Sequence, residues 1–231
     1  MELRHKETGA LVLDLPGASL TGRNLRGARL HHVDLRGADL SGADLRGADL
    51  CLADLAGATL SGANLTGADL SGAMLSGAKL DAAVLVDAKL PWTNLAQANL
   101  RRADLTRATL RSGQAPGADF RDAVMPRADL SYGSFDRADF TGAQLDEVSL
   151  NFATLAGATL CGASLVCAML IKTDLRGADL ADADFLRAAL NEADLGDANL
   201  AGATFRHAVL GRCRHLDRAK GVPEAVGLVH P

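Results

Sequence analysis

With one exception, every fifth residue of this chain from Leu15 to Leu210 is a large apolar residue. Of these 40 positions, 33 are Leu, five are Phe (Phe120, Phe135, Phe140, Phe185, Phe205), one is Met125 and one is Ala115. Two residues before each, from Leu13 to Ala208, 32 of the 40 are Ala. The phase never slips, so no insertion interrupts the array. The unit reads Ala-(Asp/Asn)-Leu-x-Gly, as in Ala38-Asp39-Leu40-Ser41-Gly42.

A period of five excludes the two common regular structures. On an α-helix the Ala and Leu, two residues apart, would point to nearly opposite sides. On a long flat strand, residues five apart would also point oppositely, because side chains alternate with period two. Within one short extended segment, however, residues two apart share a face. The chain must run extended for about three residues, turn and repeat, sending Ala and Leu inward and the other three residues outward. Stacked turns of such a coil make a β-solenoid.

The repeat resembles that of the pentapeptide repeat family, whose tandem A(D/N)LXX motif is matched from about Leu13 to Arg212. The resemblance implies an all-β fold: a right-handed quadrilateral β-helix with 20 residues per coil, hence about ten coils. At the spacing of paired strands, such a rod is about 48 Å long. The sequence adds its own support for a 20-residue coil. Ala115, the one undersized central residue, lies 20 residues before the oversized Phe135, and a packed core keeps its volume that way. Residues 1–12 are expected to cap the N-terminal end, 13–212 to form the β-helix, and 213–231 to form a C-terminal cap segment. Ala10-Leu11-Val12-Leu13 reads as an apolar lid. Arg23, at an inward position, is expected to reach out of an open first coil. Residues 214–220 suggest a short helix, and Leu216, Ala219, Val222, Val226 and Leu228 are apolar enough to lie over the last coil. Gly ends 17 of the 40 repeats, 11 of them between Gly17 and Gly77. The first coils should therefore turn through positive φ. Later corners carry Asp87, Trp92, Gln97, Arg102 and Arg107, and a change of turn type is expected there.

The search for chemistry narrows the function. The histidines His5, His31, His32, His207, His215 and His230 form no catalytic constellation, although His31 and His32 are adjacent. Asp precedes the central residue 15 times, counting Asp14, so neighbouring carboxylates belong to the repeat and read as a solvated face. Cys51, Cys161, Cys167 and Cys213 lack metal-ligand spacing. An interior filled by Ala, Leu and Phe leaves no cavity of the usual ligand size. We therefore expect a non-enzymatic protein without cofactor or metal, acting through its outside or its ends. A formal net charge of -4 argues against direct nucleic-acid binding. No apolar run is long enough for a membrane span, and a cytoplasmic location is expected.

Two outward features stand above this background. Of the eight aromatic residues, five are central Phe; the others, Trp92, Tyr132 and Phe152, all end a repeat and are spaced by 40 and 20. On a four-sided rod they share one column with Leu52, with Met169 and Ile171 nearby. Clustered exposed aromatics mark protein interfaces. The second feature is charge. Residues 141–210 hold four basic residues against nine acids, whereas 101–140 hold seven arginines against six. Asp174, Asp179, Asp182, Asp184, Asp194 and Asp197 are expected to face outward on the last coils. The family resemblance implies a specific use for such a surface, since some pentapeptide repeat proteins protect type II topoisomerases from poisons by imitating DNA. The expected partner is therefore a protein, with DNA gyrase or topoisomerase IV the specific candidate. A scaffold module with an unrelated partner is the alternative, and a homodimer through an end cap stays open.

Overall fold

The computed structural model describes residues 2–14 and 19–222. From Asn24 onward the residue before each central position bridges, in parallel, the residue 20 further on, from Asn24↔Asp44 to Asp194↔Arg214. Each 20-residue rung carries four two-residue corners. The final bridge, Asn199↔Lys220, spans one residue more, because a 3-10 turn at Leu216–Arg218 intervenes.

The hydrogen bonds explain the composition of the repeat. In the unit around Leu55, the Leu55 N–H donates to Met74 O at 2.7 Å and the Gly57 N–H to Ser76 O at 2.9 Å. The Thr59 N–H donates to Ala38 O at 2.9 Å, and the Ala58 N–H closes the corner on Leu55 O at 2.9 Å. The fifth N–H, that of Ala56, is taken by the Asp54 carboxylate at 3.1 Å. The consensus Asp or Asn is thus a corner cap of the Asx type. It leaves no backbone donor of the unit unpaired, which a buried ladder requires.

Inside, the Ala and Leu columns are almost completely buried. Each fully buried Leu contributes about 1.5–3 kcal/mol before chain entropy is counted. Phe120 and Phe140 stack at 4.7 Å, as do Phe185 and Phe205 at 4.8 Å. Ala115 and Phe135 fall on successive rungs of one side, with the Ala115 N–H donating to Ser134 O. The Phe135 ring lies edge-on to Phe120 and Phe140 and leans over Gly133, where an added Cβ would sit 2.5 Å from Phe135 Cε2. Gly replaces the consensus Ala there because the ring takes the space of the methyl. Thr93 and Thr173, also at Ala positions, satisfy their buried hydroxyls on Leu90 O and Leu150 O.

The corners correct one expectation. From Gly22 to Arg212 the second residue of every corner has φ between 54° and 70°, whether or not it is Gly. The turn does not change after Gly77. The reason lies in the ladder: the Trp92 N–H donates to Arg111 O at 3.0 Å and the Arg102 N–H to Arg121 O at 3.0 Å, as the Gly62 N–H does to Asp81 O at 2.9 Å. Those bonds outweigh the roughly 1–2 kcal/mol that a side chain loses in the left-handed region.

The N-terminal end is also built differently from the expected lid. β1 (Glu2–Arg4) and β2 (Leu11–Asp14) form an antiparallel hairpin in which Leu13 lies opposite Leu3. β1, not the Ala10–Leu13 segment, joins the first coil: the Asp34 N–H donates to Arg4 O, the Lys6 N–H donates to His32 O, and His5 bridges Val33. Leu3 enters the core while Leu11 stays exposed. A hairpin antiparallel to the rungs ends the stack, because its outer strand offers no parallel register to a further coil. The Arg23 guanidinium turns back to Ser19 O at 3.1 Å. At the other end Leu216, Ala219 and Val222 pack partly buried against the core. Val226 and Leu228 lie outside the described residues.

Candidate interaction surface

Because the corner residue's N–H points along the rod to the next coil, its side chain must point outward. This places Leu52, Trp92, Tyr132 and Phe152 in one column, with exposures of 39%, 70%, 47% and 43%. Tyr132 and Phe152 stack at 4.9 Å with planes 10° apart. The Arg111 guanidinium covers the other face of the stack, 4.4 Å from the Tyr132 centroid, and Lys172 Nζ lies 5.8 Å from the Phe152 centroid. The structure thus joins Tyr132 and Phe152 into one cation-flanked stack. Trp92 stands two rungs away, with Ser112 between, and Leu52 folds over Gly72. Beside the stack runs a groove of about 410 Å³, lined among others by Arg111, Arg127, Glu147 and Met169. Met169 and Met74 are also exposed. The sequence reading missed Arg111 beside the stack and the exposed Met74. Their signal was spacing: Arg111 lies 20 residues before Ser131, on the rung next to Tyr132, and Met74 lies on the rung next to Trp92.

The acidic residues are less available than their number suggests. Asp194 was expected to point outward, but it is only 5% exposed. His215 Nδ1 sits 2.8 Å from its carboxylate, the Gly196 N–H donates to it at 3.1 Å and Arg214 lies 3.8 Å away. The C-terminal cap has closed over it. Burial pushes the Asp194 carboxyl up, but His215, the Gly196 N–H and Arg214 outweigh this and hold it below the usual range. Asp174 takes a two-pronged bond from Arg176, which lowers its carboxyl. Asp197 pairs with Arg218. Asp179 and Asp184 cap the N–H groups of Ala181 and Leu186, and Asp179 also accepts from Asn199. Asp182 is an exposed corner residue beside Gly202.

Other chemistry is sparse. Among the described residues no group of three or more His, Cys, Asp or Glu side chains could hold a metal. No described helix is long and apolar enough to cross a membrane. The four cysteines are free thiols, and burial pushes Cys213 up to about 11. His5 stacks on His32 at 5.0 Å where the hairpin meets the first coil, which gives His32 a packing role at the cap.

The profile of the family described as Pentapeptide repeats matches residues 14–51, 52–85, 83–115, 103–142, 143–182 and 183–214. No curated protein matches the chain. Among solved structures, the chain is similar to HetL, a pentapeptide repeat protein involved in heterocyst differentiation regulation in the cyanobacterium Nostoc sp. That similarity is 33% identity over 90% of this chain and 92% of HetL, with a TM-score of 0.36. A trypsin-treated form of QnrB1, a plasmid-mediated fluoroquinolone resistance protein, is 20% identical over 71% of this chain and 80% of its own, with a TM-score of 0.44. A pentapeptide repeat protein of the Arabidopsis thaliana thylakoid lumen is 32% identical over 51% and 71%, with a TM-score of 0.29.

Proposed function

The chain belongs to the pentapeptide repeat family, whose members fold as right-handed quadrilateral β-helices, and on that premise we propose that it is a non-enzymatic rod that binds a partner protein through its aromatic corner column. The observation that carries this reading is the Tyr132–Phe152 stack, in line with Trp92 and left exposed on a molecule whose other apolar side chains are largely inside. Exposed aromatics at one edge are what the buried centre of a protein interface is made of. The test is partner capture from source-organism extract with the parent and with a Trp92→Ala, Tyr132→Ala, Phe152→Ala variant. The variant should melt like the parent and lose the captured protein. Equal capture by both would remove the column from the account.

A second reading names the partner as a type II topoisomerase, met by the carboxylates of the C-terminal coils. Its specific support is the excess of nine acids over four basic residues between 141 and 210. An acidic surface of that kind steers a basic groove and weakens with salt. Against it stand the pairing of Asp174, Asp194 and Asp197 with basic residues. Gyrase supercoiling in the presence of a poison should be protected by the parent. A variant with Asp174, Asp179, Asp182, Asp184, Asp194 and Asp197 all changed to Asn should then fail to protect. Protection by that variant as strong as the parent's would exclude DNA imitation.

A further inference from the structure

Resting on the reading that the aromatic column is the contact surface, we infer that its partner presents an acidic segment carrying a bulky apolar side chain. The face of the rod between the Arg107–Arg127 corners and the Tyr132–Phe152 corners carries many charges. Three of its basic side chains are matched one coil away: Arg107 with Asp87 at 2.6 Å, Arg127 with Glu147 at 2.9 Å and Lys172 with Glu192 at 3.5 Å. Among the described residues, Arg111 and Lys89 have no carboxylate within 4.0 Å, and both are exposed. Arg111 spends its guanidinium on the face of Tyr132 and on a long contact to Ser131 Oγ at 3.4 Å. The two carboxylates that line the groove with it are both engaged, Asp129 by the N–H and hydroxyl of Ser131 and Glu147 by Arg127. A cation is therefore held ready at the lip of a groove that Tyr132, Phe152 and Met169 make partly apolar, with most of its hydrogen-bonding fork unused.

The rings point the same way. Tyr132 and Phe152 cover each other's faces, and Arg111 covers the remaining face of Tyr132, so the stack shows its edges to solvent. Aromatic edges carry the positive part of the ring quadrupole and favour a carboxylate or the face of another ring. A guanidinium takes a carboxylate through two parallel bonds. A partner segment that lays a Phe- or Leu-sized side chain beside Phe152 and Met169, with a carboxylate over Arg111, answers both features. A basic segment would meet Arg111 and Lys89 with like charge.

The full chain offers a direct readout, because Trp92 is its single tryptophan and stands in the column. The probes are labelled peptides of alternating Glu and Phe, of alternating Lys and Phe, and of alternating Glu and Ser, followed by anisotropy and by Trp92 emission. The Glu/Phe peptide should bind, shift Trp92 emission and weaken with salt. Arg111→Gln should reduce its affinity about tenfold, the scale of one charge-assisted bond. Equal binding of the Lys/Phe peptide, no effect of Arg111→Gln, or no binding of Glu/Phe would each overturn the acidic class. The two levels fail separately. If the triple alanine variant loses its native partner while Arg111→Gln keeps it and Glu/Phe does not bind, the column remains the interface and the acidic segment is wrong. If the triple variant keeps the partner, both fall.

Discussion

The coils up to Gly77 and those that follow are the same ladder dressed in two ways. Between Gly22 and Gly77 nearly all corners are glycine, with φ of 62–65°, whereas from Ala82 to Phe152 nearly all carry side chains, with φ of 54–60°. The conformation barely differs, and the inter-coil bonds are 2.8–2.9 Å at the glycine corners from Gly22 to Gly77 and 2.8–3.1 Å at the side-chain corners. Glycine is therefore not what makes the corner. The hydrogen-bond lattice imposes it, and glycine merely lowers its cost where nothing else is needed. The consequence lies on the surface: the side-chain corners hold Trp92, Tyr132 and Phe152 in a left-handed conformation that aims them outward at fixed spacing.

The largest effects should come from the core of the second region, which is packed around its phenylalanines. Ala115→Leu or Gly133→Ala crowds the cluster of Phe120, Phe135 and Phe140 and should cost about 1–3 kcal/mol each in denaturant unfolding. Neutral effects at both sites would mean that the rings have room to move. Next in size is a mirror pair at the corners. Gly62→Ala, where an added Cβ meets nothing within 4 Å, isolates the backbone term and should destabilise by about 1 kcal/mol. Ala82→Gly, at φ 54°, should stabilise by a similar or smaller amount, since glycine there gains the left-handed region but loses more chain entropy. Changes of the same sign at both corners would break the comparison.

Much of this fold was legible in the residues, and the reason is the rigidity of a period of five. Leu and Ala at fixed offsets define the interior, and offsets in multiples of 20, such as 40 from Trp92 to Tyr132 and 20 from Tyr132 to Phe152, predict the column. The corner conformation was misjudged because propensity at Arg102 or Trp92 says nothing about inter-coil bonds. The Asp role was read as solvation because a side chain's grip on an N–H two residues on is invisible in composition. The hairpin was hidden for a different reason. Leu11–Asp14 shares the apolar character of the repeat, and only its pairing with Glu2–Arg4 removes it from the coil phase. Burial of Asp194 depends on Arg214 and His215, which arrive from beyond the last repeat.

Smaller again is the acid response, which both regions should share. The side-chain bond from Arg46 holds the Asp44 carboxyl down to about 2, and Asp174 and Asp194 are lowered as described above. A folded-state pKa below the unfolded value of about 3.9 adds stability above that pH and loses it as pH falls. Tm should hold near neutrality and drop progressively from about pH 4 toward pH 2. Asp44→Asn in the glycine-cornered coils and Asp194→Asn in the later ones should each shallow that drop. An acid slope unchanged by either variant would show that these pairs contribute nothing.

The most direct test of the account is a side-by-side capture measurement with three proteins, each verified as folded at the assay temperature: the parent, the Trp92→Ala, Tyr132→Ala, Phe152→Ala variant, and the sixfold Asp→Asn variant. If corner side chains held by the lattice are the working surface, the aromatic variant loses the partner and the sixfold variant keeps it. Retention by the aromatic variant, with loss in the sixfold one, would contradict the account and move the function to the carboxylates of the last coils.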